Sequence, residues 1–83
     1  MANLPKIDHV LDCSGTLCPL PVIRLRQEID KIASGEVIKV IATDPGSWED
    51  MPAFARNTGH ALLHSDQKNG SYEYYFRKVE AFS

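Results

Sequence analysis

The sequence predicts an α/β fold: a two-layer βαβαββ sandwich whose four-stranded mixed sheet carries two helices on one face. Three observations predict it. Strand and helix periodicities alternate along the chain, a glycine follows each helical segment, and an Asn-Gly pair separates the last two strand patterns. With 83 residues, 43% of them hydrophobic, the chain suits one domain, residues 1–83, with a core at about 7–79.

The first strand and first helix are marked by a change of period. Residues 7–13 alternate, and one side of the predicted strand holds Ile7, His9, Leu11 and Cys13. From Leu20 the spacing becomes helical. The predicted buried stripe of this helix comprises Val22, Leu25, Ile29, Ile32 and Ala33. We expect Gly35 to end the helix as its C-terminal cap.

The second strand and second helix follow in the same way. Residues 37–43 are β-branched and almost wholly apolar, which indicates an interior strand that runs parallel to the first. The side chains expected to face the helix are Ile38, Val40 and Ala42. Ser47 and Asp50 resemble a capping box for a second helix, although Pro52 allows Asp50 to be the cap instead. The predicted buried stripe is Met51, Phe54, Ala55 and Thr58, and Gly59 ends the helix.

The last two strands are predicted at 60–67 and 71–79, joined by the hairpin signal Asn69-Gly70. Tyr72, Tyr74 and Phe76 alternate and are assigned to packing. Two helices cannot cover both faces of four strands, so both are expected on one face.

Charge and composition exclude several classes of function. The net charge of −2 gives no general affinity for polyanions, so direct nucleic-acid binding is not expected. No apolar run approaches the length of a membrane span, and the start lacks the apolar core of a signal peptide. We therefore expect a cytoplasmic protein without membrane association. Two cysteines in a reducing compartment indicate reactivity or metal binding more than a structural disulfide.

The segment Cys18-Pro19-Leu20-Pro21 is the strongest candidate site. With Cys18 as the N-cap, Pro19 takes the first helical position, where its fixed φ fits and its missing N–H costs nothing. A sulfur anion there could accept the Leu20 N–H and lie at the positive end of the helix dipole, which predicts a lowered thiol pKa and a nucleophile. The alternative is a small buried hydrophobe beside ordinary helix-start prolines.

The order of several segments resembles a known family. Residues 11–22 read LDCSGTLCPLPV, residues 42–47 read ATDPGS, and the stretches 52–54 and 58–60 read PAF and TGH. Together they are similar to the TusA/SirA-like family of small sulfur carriers over roughly 7–79. Two positions depart from the family pattern. Cys13 replaces a residue that is often small, and Ala55 stands where some members of sulfur-oxidation pathways carry another cysteine.

The resemblance implies a βαβαββ sandwich and a function. Cys18 is expected to carry sulfane sulfur as a persulfide, received from a cysteine desulfurase or rhodanese-like donor and passed to an acceptor protein. Pro19 and Pro21 match the motif prolines that set the helix start. Such a sulfurtransferase-like carrier would need partner proteins and no cofactor or metal. The pathway could be tRNA thiolation, cofactor biosynthesis or sulfur oxidation.

Other interpretations remain open at this point. Cys13 could be a second thiol that forms a switchable disulfide with Cys18, which would make the chain a redox-sensing or regulatory binding module, or it could be an idle residue at the strand end. A zinc site would need His9, His60 or His64, but no ligand spacing supports one. Asp12 is assigned a structural role. The basic pair Arg24 and Arg26 could meet an acidic partner or simply face solvent. Trp48 and Phe54 could shape a docking surface or belong to the core.

Overall fold

The computed structural model describes residues 5–17 and 20–79. Within this part of the chain the elements are β1 (His9–Cys13), α1 (Leu20–Ile29), β2 (Val37–Ala42), α2 (Ser47–Thr58), β3 (Ala61–Lys68) and β4 (Ser71–Arg77). The strands lie in the order β1-β2-β4-β3. β1 and β2 are parallel, and β4 is antiparallel to both of its neighbours. The predicted βαβαββ order and mixed sheet are confirmed.

The core lies between the sheet and the two helices. The strands contribute Leu11, Cys13, Ile38, Val40, Ala42, Tyr72, Tyr74 and Phe76. The helices contribute Leu25, Ile29, Met51 and Phe54. These sets share one face of the sheet, as the alternation predicted, because side chains of a strand alternate between its two faces. In the described part of the chain no helix is long and apolar enough to cross a membrane.

The end of α1 differs from the prediction. The helix stops at Ile29, so Gly35 is not its cap. Gly35 instead has a φ of 88° in the turn before β2, and its N–H donates to the Lys78 carbonyl at 2.8 Å. Beyond the helix the Lys78 Nζ donates to the carbonyls of Asp30 (3.2 Å) and Ile32 (2.8 Å). The Lys78 ammonium group therefore donates to carbonyls that follow the helix, where a local backbone cap was expected.

The start of α2 also differs. The helix begins at Ser47 after Gly46, and no side chain caps it, so both predicted caps are wrong. The Ser47 hydroxyl is buried and lies 2.7 Å from the Tyr74 hydroxyl, which explains why it does not turn back to the helix amides. Pro52 lies inside the helix.

The hairpin between β3 and β4 has the turn that the Asn-Gly pair predicts. Lys68 pairs with Ser71, and the two residues between them, Asn69 and Gly70, have φ values of 46° and 83°. Positive φ at both positions is the requirement of a type I′ turn.

Candidate functional site

The candidate site lies at the sheet edge where the two parallel strands end. Cys13 and Ala42, the last residues of β1 and β2, are paired in the sheet, so the connections to α1 and α2 leave side by side. The two connections are tied together, because the Gly15 N–H donates to the Thr43 Oγ1 at 2.9 Å. Gly15 has a φ of 79°, in the left-handed region that glycine adopts without strain. We call residues 14–17 the β1–α1 loop.

Hydrogen bonds to the end of β1 fix the first residues of this loop. The Ser14 N–H donates to the Asp12 Oδ1 at 2.9 Å, and the Thr16 hydroxyl donates to the Cys13 carbonyl at 2.6 Å. Bonds from the Ser14 side chain and backbone hold the pKa of Asp12 below its ordinary value, and Arg24 lowers it further. The Asp12 carboxylate is therefore engaged in the loop, in line with the structural role expected of it.

The Cys18 and Pro19 positions lie outside the described residues, and their predicted roles stay predictions. The residues on either side are described. The Leu20 N–H donates to the Leu17 carbonyl at 2.8 Å. The expectation that this N–H serves a sulfur anion was therefore wrong, because a backbone carbonyl accepts it. Pro21 is buried in the first turn of α1.

Cys13 lacks the solvent exposure and the lowered pKa that a second reactive thiol would need. It is a free cysteine with 0% exposure, packed in the core. Burial raises the pKa of its thiol, and the opposing effect of Arg24 is smaller. A buried, protonated thiol reacts slowly. The arrangement favours the structural interpretation of Cys13, since a disulfide with Cys18 would require its sulfur to leave the core.

Large apolar side chains are exposed around the segment that holds Cys18. Leu17 is 71% exposed, Leu20 47% and Ile23 45%. Leu20 and Ile23 are three residues apart on α1 and share a helix face. Trp48, in the first turn of α2 at the same sheet edge, is 44% exposed, with its ring 6.0 Å from that of Tyr72. Phe54, in contrast, belongs to the core. Exposed apolar side chains beside a candidate site are typical of interaction surfaces.

The two arginines of α1 behave differently. The Arg24 Nη1 donates to the Asp12 carbonyl at 3.2 Å, which connects α1 to the end of β1. The Arg26 guanidinium lies over the Phe54 ring, 5.9 Å from its centre. No sequence pattern predicts the Arg24 contact, because its partner is twelve residues away on another element.

Each of the three histidines contacts a different partner. His9 Nε2 is 2.9 Å from Glu36 Oε1, His60 Nδ1 accepts the Val79 N–H at 3.1 Å, and the His64 ring packs edge-on against Tyr75. Across residues 5–17 and 20–79, no three His, Cys, Asp or Glu side chains form a group suited to a metal ion.

Comparisons with known proteins agree with this architecture. Residues 9–78 match the family model described as sulfurtransferase TusA. The chain is 44% identical over 75 residues to the sulfur carrier protein TusA of Allochromatium vinosum, covering 90% of this chain and 99% of that one. It is also 44% identical over 71 residues to the protein of the same name from Pseudomonas putida strain GB-1, covering 86% and 89%.

A solved structure shares the fold as well. The SirA-like protein from Desulfitobacterium hafniense superposes with a TM-score of 0.74 at 25% identity, covering 87% of this chain and 99% of that chain. The family match spans nearly all of the described residues, and the relatives are matched over almost their full length. The chain therefore belongs to the TusA family of sulfur carriers.

Proposed function

We propose that this protein accepts sulfane sulfur on Cys18 as a persulfide and passes it to an acceptor protein. In the loading step, the Cys18 thiolate attacks the terminal sulfur of a donor persulfide. A new S–S bond forms at Cys18, the donor S–S bond breaks, and the donor cysteine leaves as a thiolate. In the second step an acceptor nucleophile attacks the terminal sulfur, and Cys18 leaves as a thiolate. Both steps move a sulfur atom without a net oxidant or reductant.

One observation carries the proposal: in a TusA-family chain, the cysteine of the CPLP segment follows a hydrogen-bonded loop and is flanked by exposed Leu17 and Leu20. The other cysteine is buried, with its pKa raised by burial. Cys18 is accordingly our candidate for the persulfide-forming residue. Pro19, Leu20 and Pro21 shape the start of the helix that follows.

The partners we propose are proteins. A cysteine desulfurase or a rhodanese-like protein would load the sulfur, and a second carrier or a sulfur-using enzyme would remove it. Leu17, Leu20 and Ile23 form the apolar surface that we propose both partners cover in turn, since apolar groups around a reactive residue exclude water from the contact. A thiol that must stay reduced between cycles favours the cytoplasm. The pathway could be tRNA thiolation, cofactor biosynthesis or sulfur oxidation.

Mass spectrometry tests the proposal directly. The protein is incubated with a cysteine desulfurase and L-cysteine, and the cysteine-containing peptides are then analysed separately. We expect one or more sulfur atoms on the Cys18 peptide, removed by a reductant. Cys18→Ser should not load, whereas Cys13→Ala should load like the wild type. Equal loading of Cys18→Ser and wild type would disprove the proposal.

A further inference from the structure

We propose that Arg24 is a positioning residue for sulfur transfer, which ties α1 to the end of β1, where the β1–α1 loop begins, and keeps a positive charge there. This inference rests on the proposed function, because it concerns the loop that leads into Cys18. The sequence left Arg24 as either a solvated residue or a contact for an acidic partner. Its position in the structure indicates a different role.

The contact made by Arg24 closes the segment that contains Cys18. Asp12, near the end of β1, precedes this segment, and Arg24 follows it in α1. The Nη1–carbonyl bond of 3.2 Å joins these two points directly. This bond links the end of β1 to α1, and the Gly15–Thr43 bond links the loop that follows to the β2–α2 connection. A guanidinium has further N–H donors, so one bond to the carbonyl leaves others available.

The charge of Arg24 acts on groups at the base of this loop. It contributes to the lowered pKa of Asp12, and it opposes the rise in the pKa of Cys13 that burial causes. Its positive potential therefore reaches both residues at the end of β1. Asp12, the last but one residue of β1, and Asp44, in the β2–α2 connection, are carboxylates at this edge of the sheet. A sulfur anion near carboxylates is disfavoured by like-charge repulsion, and a fixed cation offsets that repulsion.

Arg26 provides a matched control on the same helix. Its guanidinium lies over the Phe54 ring, 5.9 Å from the ring centre. Removing either arginine changes the net charge by the same amount. Only the Arg24 substitution removes the bond to β1. A general effect of net charge on the chain would therefore affect both variants equally.

The test measures the rate of iodoacetamide alkylation at Cys18 against pH in the full chain, read by peptide mass for wild type, Arg24→Gln, Arg24→Lys and Arg26→Gln. For Arg24→Gln we expect the midpoint of the profile at higher pH, with an alkylation rate at pH 7 that is about two- to fivefold lower, the range of an exposed charge interaction. Arg24→Lys should restore most of the rate, and Arg26→Gln should match the wild type.

An unchanged pH profile in Arg24→Gln, or an equal change in Arg26→Gln, would overturn the inference. A purely structural role would lower the free energy of unfolding and leave the profile in place, so the denaturation midpoint of each variant is measured in parallel. Alkylation needs no sulfur donor. Failure of the wild type to load from the desulfurase would therefore count against the proposed function alone, and the alkylation profiles would still decide the role of Arg24.

Discussion

The two edges of the sheet differ in the range of the contacts that hold them. At the edge where β1 and β2 end, local and distant bonds are mixed: Ser14 bonds Asp12 two residues away and Thr16 bonds Cys13 three residues away, whereas Gly15 bonds Thr43 across 28 positions. At the opposite edge, where these strands begin, contacts connect distant parts of the chain. The Lys78 Nζ reaches the Ile32 carbonyl across 46 positions in the sequence.

The two edges also differ in how far their side chains are exposed to solvent. Leu17, Leu20 and Ile23 are exposed at the first edge, whereas at the opposite edge His60 is only 8% exposed and accepts the Val79 N–H. Asp8 there accepts the Val37 N–H at 2.9 Å. The difference teaches that one edge closes the fold, while the other presents a loop and apolar side chains for contact. Substitutions at the first edge should therefore slow sulfur transfer, whereas substitutions at the opposite edge should lower stability without slowing transfer.

The largest effect on stability is expected from Lys78→Met. This change keeps much of the apolar stem but leaves the Asp30 and Ile32 carbonyls without the ammonium donor. Hydrogen bonds to charged groups are each worth about 1.5–3 kcal/mol, and partial exposure reduces this, so we expect a loss of about 2 kcal/mol in the free energy of unfolding. Urea denaturation measures it. Sulfur loading of the folded protein should not change.

Lys68→Met is the matched control. Lys68 forms an exposed ion pair with Asp66 at 3.7 Å, a contact of the kind that contributes little to stability. A loss of stability in Lys68→Met as large as in Lys78→Met would show that the effect comes from the lost charge and not from the closure of the opposite edge.

A pair of glycine substitutions compares the edges directly. Gly15 and Gly35 have φ values of 79° and 88°, and a Cβ added at either meets nothing within 4 Å. Each N–H donates across its edge, to Thr43 and to Lys78 respectively. Because only the backbone strain of alanine at positive φ differs from the wild type, each variant should lose about 1–2 kcal/mol in the free energy of unfolding.

The two glycine substitutions should differ in their effect on sulfur loading. Gly15→Ala strains the loop that leads into Cys18, so loading by the desulfurase should slow several-fold, whereas Gly35→Ala should load at the wild-type rate. Measured under conditions where both variants are fully folded, equal loading rates would contradict the separation of the two edges. A large loss of loading in Gly35→Ala alone would reverse the assignment.

The fold could be predicted largely because its signals are local. The alternation of Tyr72, Tyr74 and Phe76 and the turn residues Asn69 and Gly70 act over a few positions, and the structure confirms them. The same holds for Gly59, which follows α2 and donates its N–H to the Ala55 carbonyl.

The predicted helix caps that the structure contradicts failed because their true partners are distant in the sequence. Ser47 was expected to cap α2 but bonds Tyr74, and Gly35 was expected to cap α1 but bonds Lys78. In each case a group distant in the sequence provides the partner, and no periodicity or short motif encodes such a contact. The candidate site shows the same limit. The CPLP segment marks Cys18, but the burial of Cys13 depends on tertiary packing.

The smallest of the expected effects concerns pH and the opposite edge. His60 Nδ1 accepts the Val79 N–H, its ring stacks on Phe54, and Lys78 and Asp30 are the charged groups that act on it. Burial lowers the pKa of His60, with a further contribution from Lys78. The unfolded chain therefore takes up a proton at higher pH than the folded one. Stability from neutral His60 is fully present above about pH 6.5 and is lost as the pH falls from there.

We expect the free energy of unfolding to decrease between pH 7.5 and pH 5.5 in the wild type and to change less in His60→Gln. His64, whose ring packs edge-on against Tyr75, provides the control, since a loss of pH dependence in His64→Gln as large as in His60→Gln would show that the effect does not come from the His60–Val79 contact. Hydrogen exchange shows which part of the molecule is affected by the lower pH. Amide exchange is base-catalysed and slows as the pH falls, so protection factors relative to the unfolded chain are compared at each pH. At the lower pH the protection factor of the Val79 amide should fall, because a protonated Nδ1 cannot accept its N–H, while the Gly15 amide should keep its protection through Thr43. An equal loss of protection at both amides would mean that acid loosens the whole molecule and that the two edges are not independent.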